Sequence, residues 1–75
     1  INKTSFYEGS YHDDMRHGFG KYVYENGSIY EGQWAGNLRH GHGKFTWPSG
    51  NSFTGLFDRN DMVSSQGTFD FPQQP

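Results

Sequence analysis

The chain has no cysteine. That excludes a disulfide scaffold and a thiolate metal site, and sets the expectation of an intracellular, cytoplasmic protein. Aliphatic side chains are scarce, and no apolar stretch approaches the length of a membrane-spanning helix. Positive charge is also in short supply: six Lys and Arg stand against eight Asp and Glu, for a formal net charge of −2. Nucleic acid is therefore not an expected partner, since binding its backbone needs a basic surface. Four histidines would move the balance upward below about pH 6.5. The sequon Asn2-Lys3-Thr4 is a triplet that arises often by chance and carries little weight.

What the chain does have is seven Phe, five Tyr, two Trp and eleven Gly in 75 residues. The rings supply the apolar payload and the glycines leave room for them. This length is one domain, near the lower limit for a self-sufficient core. The residues also recur. Tyr7-Glu8-Gly9 returns as Tyr30-Glu31-Gly32, and Phe53-Thr54-Gly55 follows at the same interval of 23 residues. Residues 7–29 align with 30–52 without a gap. Identical pairs include Arg16/Arg39, His17/His40, Gly18/Gly41, Gly20/Gly43, Lys21/Lys44 and Gly27/Gly50, while Tyr11/Trp34, Tyr22/Phe45 and Tyr24/Trp47 exchange aromatics. A third, degenerate copy over 53–75 loses the Arg-His-Gly run. After one extra residue, Gly67, Phe69 and Phe71 restore the pattern. Such a period marks stacked repeats with an atypical terminal copy. Because the sequence opens inside a repeat, it is expected to be a fragment of a longer array.

Each copy contains two stretches with period-two alternation, the mark of half-buried strands. The predicted strands are 5–11, 20–24, 28–34, 43–47, 51–57 and 67–71. Asn26-Gly27 alone would suggest a two-residue hairpin, but that loop would put Tyr22 and Tyr24 on the face opposite Tyr30 and Trp34. A three-residue loop, a type I turn closed by a left-handed glycine, pairs Tyr22 with Tyr30 and Gly20 with Gly32, and gathers the aromatics on one face. Pro48-Ser49-Gly50 fits the same loop and pairs Phe45 with Phe53 and Gly43 with Gly55. Lys21 then opposes Glu31 on the other face. The glycine trough is expected to receive aromatics from the adjoining repeat. Residues 12–18 and 35–41 are expected to be connecting segments, with Met15 and Leu38 tucked under the sheet. The fold class that follows is all-β: an elongated, single-layer antiparallel sheet of stacked hairpins.

Tyr30-Glu31-Gly32-Gln33-Trp34, then Gly36-Asn37, Arg39-His40-Gly41-His42-Gly43-Lys44 and Trp47-Pro48-Ser49-Gly50, closely resemble the MORN (membrane occupation and recognition nexus) repeat. The copy at 7–29 matches with Tyr11 for the tryptophan and Asp13 where a glycine is usual. The copy from Phe53 departs from the pattern at Thr54 and at Ser64-Ser65-Gln66. The resemblance implies a single repeat domain over 1–75 that acts as a scaffold, a protein-binding surface or a membrane-attachment module, with cytoskeletal or ciliary association as a family expectation.

Two sets of candidate site residues follow. Tyr22, Tyr30, Phe45 and Phe53 are expected to form the core. Tyr11, Tyr24, Trp34, Trp47 and Phe57, nearer strand ends, are expected to contact a partner helix or peptide, as Trp and Tyr dominate binding hot spots. The alternative is an anionic membrane surface held by Arg16, His17, Lys21, Arg39, His40 and Lys44, read as repeated basic loops. Open strand edges near 5–11 and 67–71 point to adjacent repeats or a homodimer. No metal site is assigned, because His40, His42 and His17 have no third and fourth ligand at usual spacing. No cofactor is implied. Catalysis is not expected either: Asp13 and Asp14 diverge, the serines have no base at a defined spacing, and neither Gly-x-Gly run opens a helix after a strand.

Overall fold

The computed structural model describes residues 5–72. It contains six strands: β1 (Phe6–His12), β2 (Met15–Val23), β3 (Ile29–Ala35), β4 (Leu38–Thr46), β5 (Ser52–Asp58) and β6 (Asp61–Asp70). All are antiparallel and lie in one sheet in chain order. The sheet measures 46 × 37 × 15 Å, so it is a single layer with no helix packed on it among the described residues.

The register agrees with the parity argument. Tyr22 opposes Tyr30, Gly20 opposes Gly32, and Lys21 opposes Glu31; Phe45 opposes Phe53 and Gly43 opposes Gly55. The three-residue loops also form. The Tyr24 N–H donates to the Ser28 carbonyl at 2.8 Å and the Gly27 N–H to the Tyr24 carbonyl at 2.9 Å, with the same pair of bonds around Trp47, Gly50 and Asn51. Gly27 and Gly50 take φ of +98° and +100°, where a β-carbon would be strained.

The connecting segments differ from expectation. Residues 12–18 and 35–41 are almost entirely strand, turned by only two residues each: Asp13-Asp14 and Gly36-Asn37, followed by Arg59-Asn60 in the third copy. Both residues of each pair have positive φ, the signature of a type I′ hairpin. Met15 and Leu38 therefore stand in the sheet rather than under it, paired with His12 and Ala35. What hid these strands is a bulge. Pairing runs from Trp34↔Arg39 to Gly32↔Gly43, so Gln33 alone faces His40, Gly41 and His42. Gly41 supplies φ of +92° there, and the Gln33 side-chain oxygen accepts the His42 N–H at 2.7 Å. Two extra residues interrupt the alternation yet leave the faces unchanged. In the third copy, pairing jumps from Phe57↔Met62 to Gly55↔Gly67. The bulge there absorbs one residue more, which returns Gly67 and Phe69 to the aromatic face.

Candidate functional site

The pairings align the front face in rows. One row is aromatic on every strand: Tyr7, Tyr22, Tyr30, Phe45, Phe53 and Phe69. The next is glycine on every strand: Gly9, Gly20, Gly32, Gly43, Gly55 and Gly67. The trough is filled, but mainly from within the repeat. The Tyr30 ring lies across Gly43, Tyr7 across Gly20 and Phe53 across Gly67. The Tyr7 and Tyr30 hydroxyls donate to the Ser10 and Gln33 carbonyls at 2.8 and 2.7 Å. The adjoining repeat contributes the indole of Trp34, whose N–H reaches back to the Gly20 carbonyl at 3.1 Å. Edge-to-face contacts then tie the strands: Trp34 to Tyr7 and Tyr30 at 5.5 and 5.1 Å, and Phe57 to Tyr30 and Phe53 at 4.9 and 5.6 Å.

This packing redistributes the expected contact residues. Trp34 and Phe57 are 4% and 3% exposed and belong to the core with Tyr30, Phe45 and Phe53. They cannot meet a partner directly, because the rings of neighbouring strands close over them. Tyr11, their counterpart on β1, is 60% exposed, since no strand among the described residues lies on its outer side. Tyr22, expected in the core, is only partly buried, as are Tyr24 and Trp47. Beside Trp47 lie two aromatics outside the expected set. Phe69 and Phe71 are 40% and 64% exposed, and the Trp47–Phe69 and Phe69–Phe71 rings run nearly parallel at 6.2 and 5.9 Å. The spacing of Phe69 and Phe71 from Gly67 was the available signal.

The basic residues do not form one cluster. Arg16 and Arg39 stand on the aromatic face: Arg16 lies over Tyr22 and Trp34 at 5.0 and 4.9 Å, and Arg39 over Phe45 at 5.3 Å. Each is clasped by an asparagine of the next repeat. The Asn37 side-chain oxygen accepts the Arg16 N–H at 2.9 Å while the Arg16 guanidinium donates to the Asn37 carbonyl at 3.1 Å. Arg39 and Asn60 repeat the arrangement at 3.0 and 2.9 Å, and Arg39 also donates to the Tyr24 hydroxyl. These guanidiniums join repeats, as cations over aromatic faces do. The asparagines were missed, though Arg16…Asn37 and Arg39…Asn60 recur at one spacing. Asn37 has φ of +73°, so two contributions separate by substitution. Asn37→Gly keeps the backbone and loses the clasp, at about 1 kcal/mol. Asn37→Ala adds left-handed strain and reaches about 2 kcal/mol. Urea midpoints should fall in that order.

His17, Lys21, His40, His42 and Lys44 lie on the other face, where the pairings run Glu8–Lys21–Glu31–Lys44 across four strands. Acid and base alternate, so positive charge is compensated where it occurs. His40 lies 3.6 Å from the Asp58 carboxylate. A shallow hollow between Phe19, His42, Lys44 and Thr54 marks this face. No group of three or more His, Cys, Asp or Glu positioned for a metal occurs among the described residues.

The family model of the MORN repeat matches the chain twice, over residues 7–29 and 30–52, two adjacent spans that take up more than half of its length. Among curated proteins none matches the chain.

Proposed function

The chain belongs to the MORN repeat family, a non-catalytic repeat module of binding and membrane-associated character, and from that premise we propose that it is a protein-docking scaffold. Its front face takes a helical or extended partner segment, and its open edges take a neighbouring subunit. The observation that carries this reading is the ribbed aromatic strip at the three-residue-loop end of the face. Tyr24, Trp47, Phe69 and Phe71 remain accessible there while Trp34 and Phe57, nearer the two-residue turns, are buried in the core. The rings, two pairs of them nearly parallel about 6 Å apart, offer a continuous apolar surface to a partner's side chains, and Trp and Tyr in such positions dominate binding energy. The competing reading, attachment to anionic lipid, draws on Lys21, Lys44, His17 and His40. It receives less support, because Glu8 and Glu31 interleave with the two lysines and the two arginines already hold repeats together.

Binding assays with candidate partners, run beside vesicle flotation, test the choice. Trp47→Ala is expected to weaken partner binding about tenfold or more, with little change between low and physiological salt, while Phe19→Ala on the other face leaves it intact. Retention on phosphoinositide vesicles at physiological salt, lost when Lys21 and Lys44 are neutralised, would overturn the protein-docking reading.

A further inference from the structure

Two features of the front face recur at one interval. The first is a ladder of rings at the three-residue-loop end. Tyr22 touches Tyr24, Tyr24 touches Phe45 and Phe45 touches Trp47, with centroids 4.5, 5.7 and 5.2 Å apart, and Trp47 continues it to Phe69 at 6.2 Å. Tyr24 and Trp47 remain partly accessible, and each belongs to a hairpin with further strands on both sides. They are equivalent residues two strands apart, so the ladder repeats about every 9.6 Å.

The second feature is charge. Glu8, Glu31, Asp58, Asp61 and Asp70 each adjoin a front-face residue in their strand and so point to the back. Asp13, Asp14 and Glu25 lie in turns. Arg16 and Arg39, over Tyr22 and Phe45 at 5.0 and 5.3 Å, therefore make the front positive in a chain whose net charge is −2. They too stand two strands apart, on the side of the ladder toward the two-residue turns. Each guanidinium has donors beyond those that hold the asparagine.

A partner segment running along the array has to return one face to the sheet once per repeat. An α-helix comes nearest at seven residues, about 10.5 Å. A β-strand covers the interval in three residues, and its alternate side chains then point away. A polyproline II helix turns once in three residues and about 9.3 Å, the closest match, and its backbone carbonyls are unpaired. The Tyr24 hydroxyl, which accepts from Arg39 at 3.2 Å, keeps its own proton to give to one of them.

We propose that the front face docks a proline-rich, acidic segment of a partner protein in the polyproline II conformation, lying across the strands. One column of its side chains packs prolines against Tyr24 and Trp47, as aromatic-lined grooves do. The neighbouring column sets carboxylates against Arg16 and Arg39 in charge-assisted bonds. Ion pairs sheltered among rings are screened little by salt. The inference rests on the protein-docking reading and specifies the chemistry of its partner.

The test uses the whole chain and a fluorescent peptide of four Pro-Pro-Glu triplets. Saturable binding at physiological salt is expected. Four Pro-Pro-Gln triplets should bind about tenfold more weakly, a comparison that leaves the protein itself unchanged. A peptide of the same composition whose glutamates are permuted out of the three-residue period should lose about as much. Trp47→Ala should weaken binding about tenfold and Phe19→Ala should not. Absence of saturable binding, or equal binding by the glutamine or the permuted peptide, would overturn the proposal. So would preference for an acidic α-helical peptide; if Trp47→Ala abolished that binding, the docking reading would stand with a different partner. A Pro-Pro-Glu peptide held equally well by Trp47→Ala would count against both.

Discussion

Gly43→Val is expected to leave the chain largely unfolded. Valine is among the residues best suited to strands, so propensity alone would credit the change with up to about 1 kcal/mol of stabilisation. The neighbours decide otherwise. A β-carbon at Gly43 would clash with the Tyr30 hydroxyl and the adjoining ring edge, and that ring cannot step aside. It is 0% exposed, its hydroxyl donates to Gln33 at 2.7 Å, and it is held edge-on by Trp34 and Phe57 at 5.1 and 4.9 Å. Expelling it breaks the contact between the second and third repeats. The cost is about 4 kcal/mol or more, comparable with the whole stability of a domain of this size, roughly 4–11 kcal/mol. Gly36→Asn is the control. Gly36 has φ of +55° with nothing nearer to a β-carbon than the Met15 sulfur at 4.0 Å, and asparagine tolerates that conformation. It should change stability by about 0.5 kcal/mol at most. Denaturation curves that place Gly43→Val beside the parent would refute the packing account.

The second large effect is a loss of stability in alkali. Burial pushes the Tyr30 hydroxyl from its ordinary value of 10 up to about 12, against the opposing pull of the Arg39 guanidinium. Burial likewise raises Tyr24 and Tyr7. A pKa raised on folding means that the unfolded chain releases its proton first. The stability contributed by protonated Tyr30 is therefore complete below pH 10 and is lost as pH climbs through about 12. For a shift of this size the loss totals about 2–3 kcal/mol. Tyr30→Phe separates the causes. Near neutrality it should cost about 1 kcal/mol for the missing bond to Gln33, and the gap to the parent should close or reverse at about pH 11. Phe53, equally buried at the matching position without a hydroxyl, shows that the ring alone fills the trough. An alkaline limb as steep in Tyr30→Phe as in the parent would mean that other groups carry the transition.

The exposure of equivalent residues tracks position in the array more than chemistry. Tyr11, Trp34 and Phe57 occupy one place in three repeats and are 60%, 4% and 3% exposed. The last two have a strand on the N-terminal side whose rings close over them. Tyr11 has none among the described residues.

The sequence by itself determined the repeat, the family resemblance and the all-β class. It also determined the pairing across both three-residue loops, because alternation fixes which residues share a face and only one loop length satisfies it. Tertiary structure decided the rest. The strands through Arg16–Gly18 and Arg39–His42 were illegible because a bulge of two extra residues breaks the alternation locally while preserving parity beyond it. The partners of Arg16 and Arg39 beyond that bulge, Tyr11 and Trp34 across the turn and the asparagine of the next repeat, were illegible for the same reason. Trp34 and Phe57 read as surface anchors because burial in a one-layer sheet is set by rings from strands on both sides. No single repeat contains those neighbours, so alternation, which is local, cannot report them.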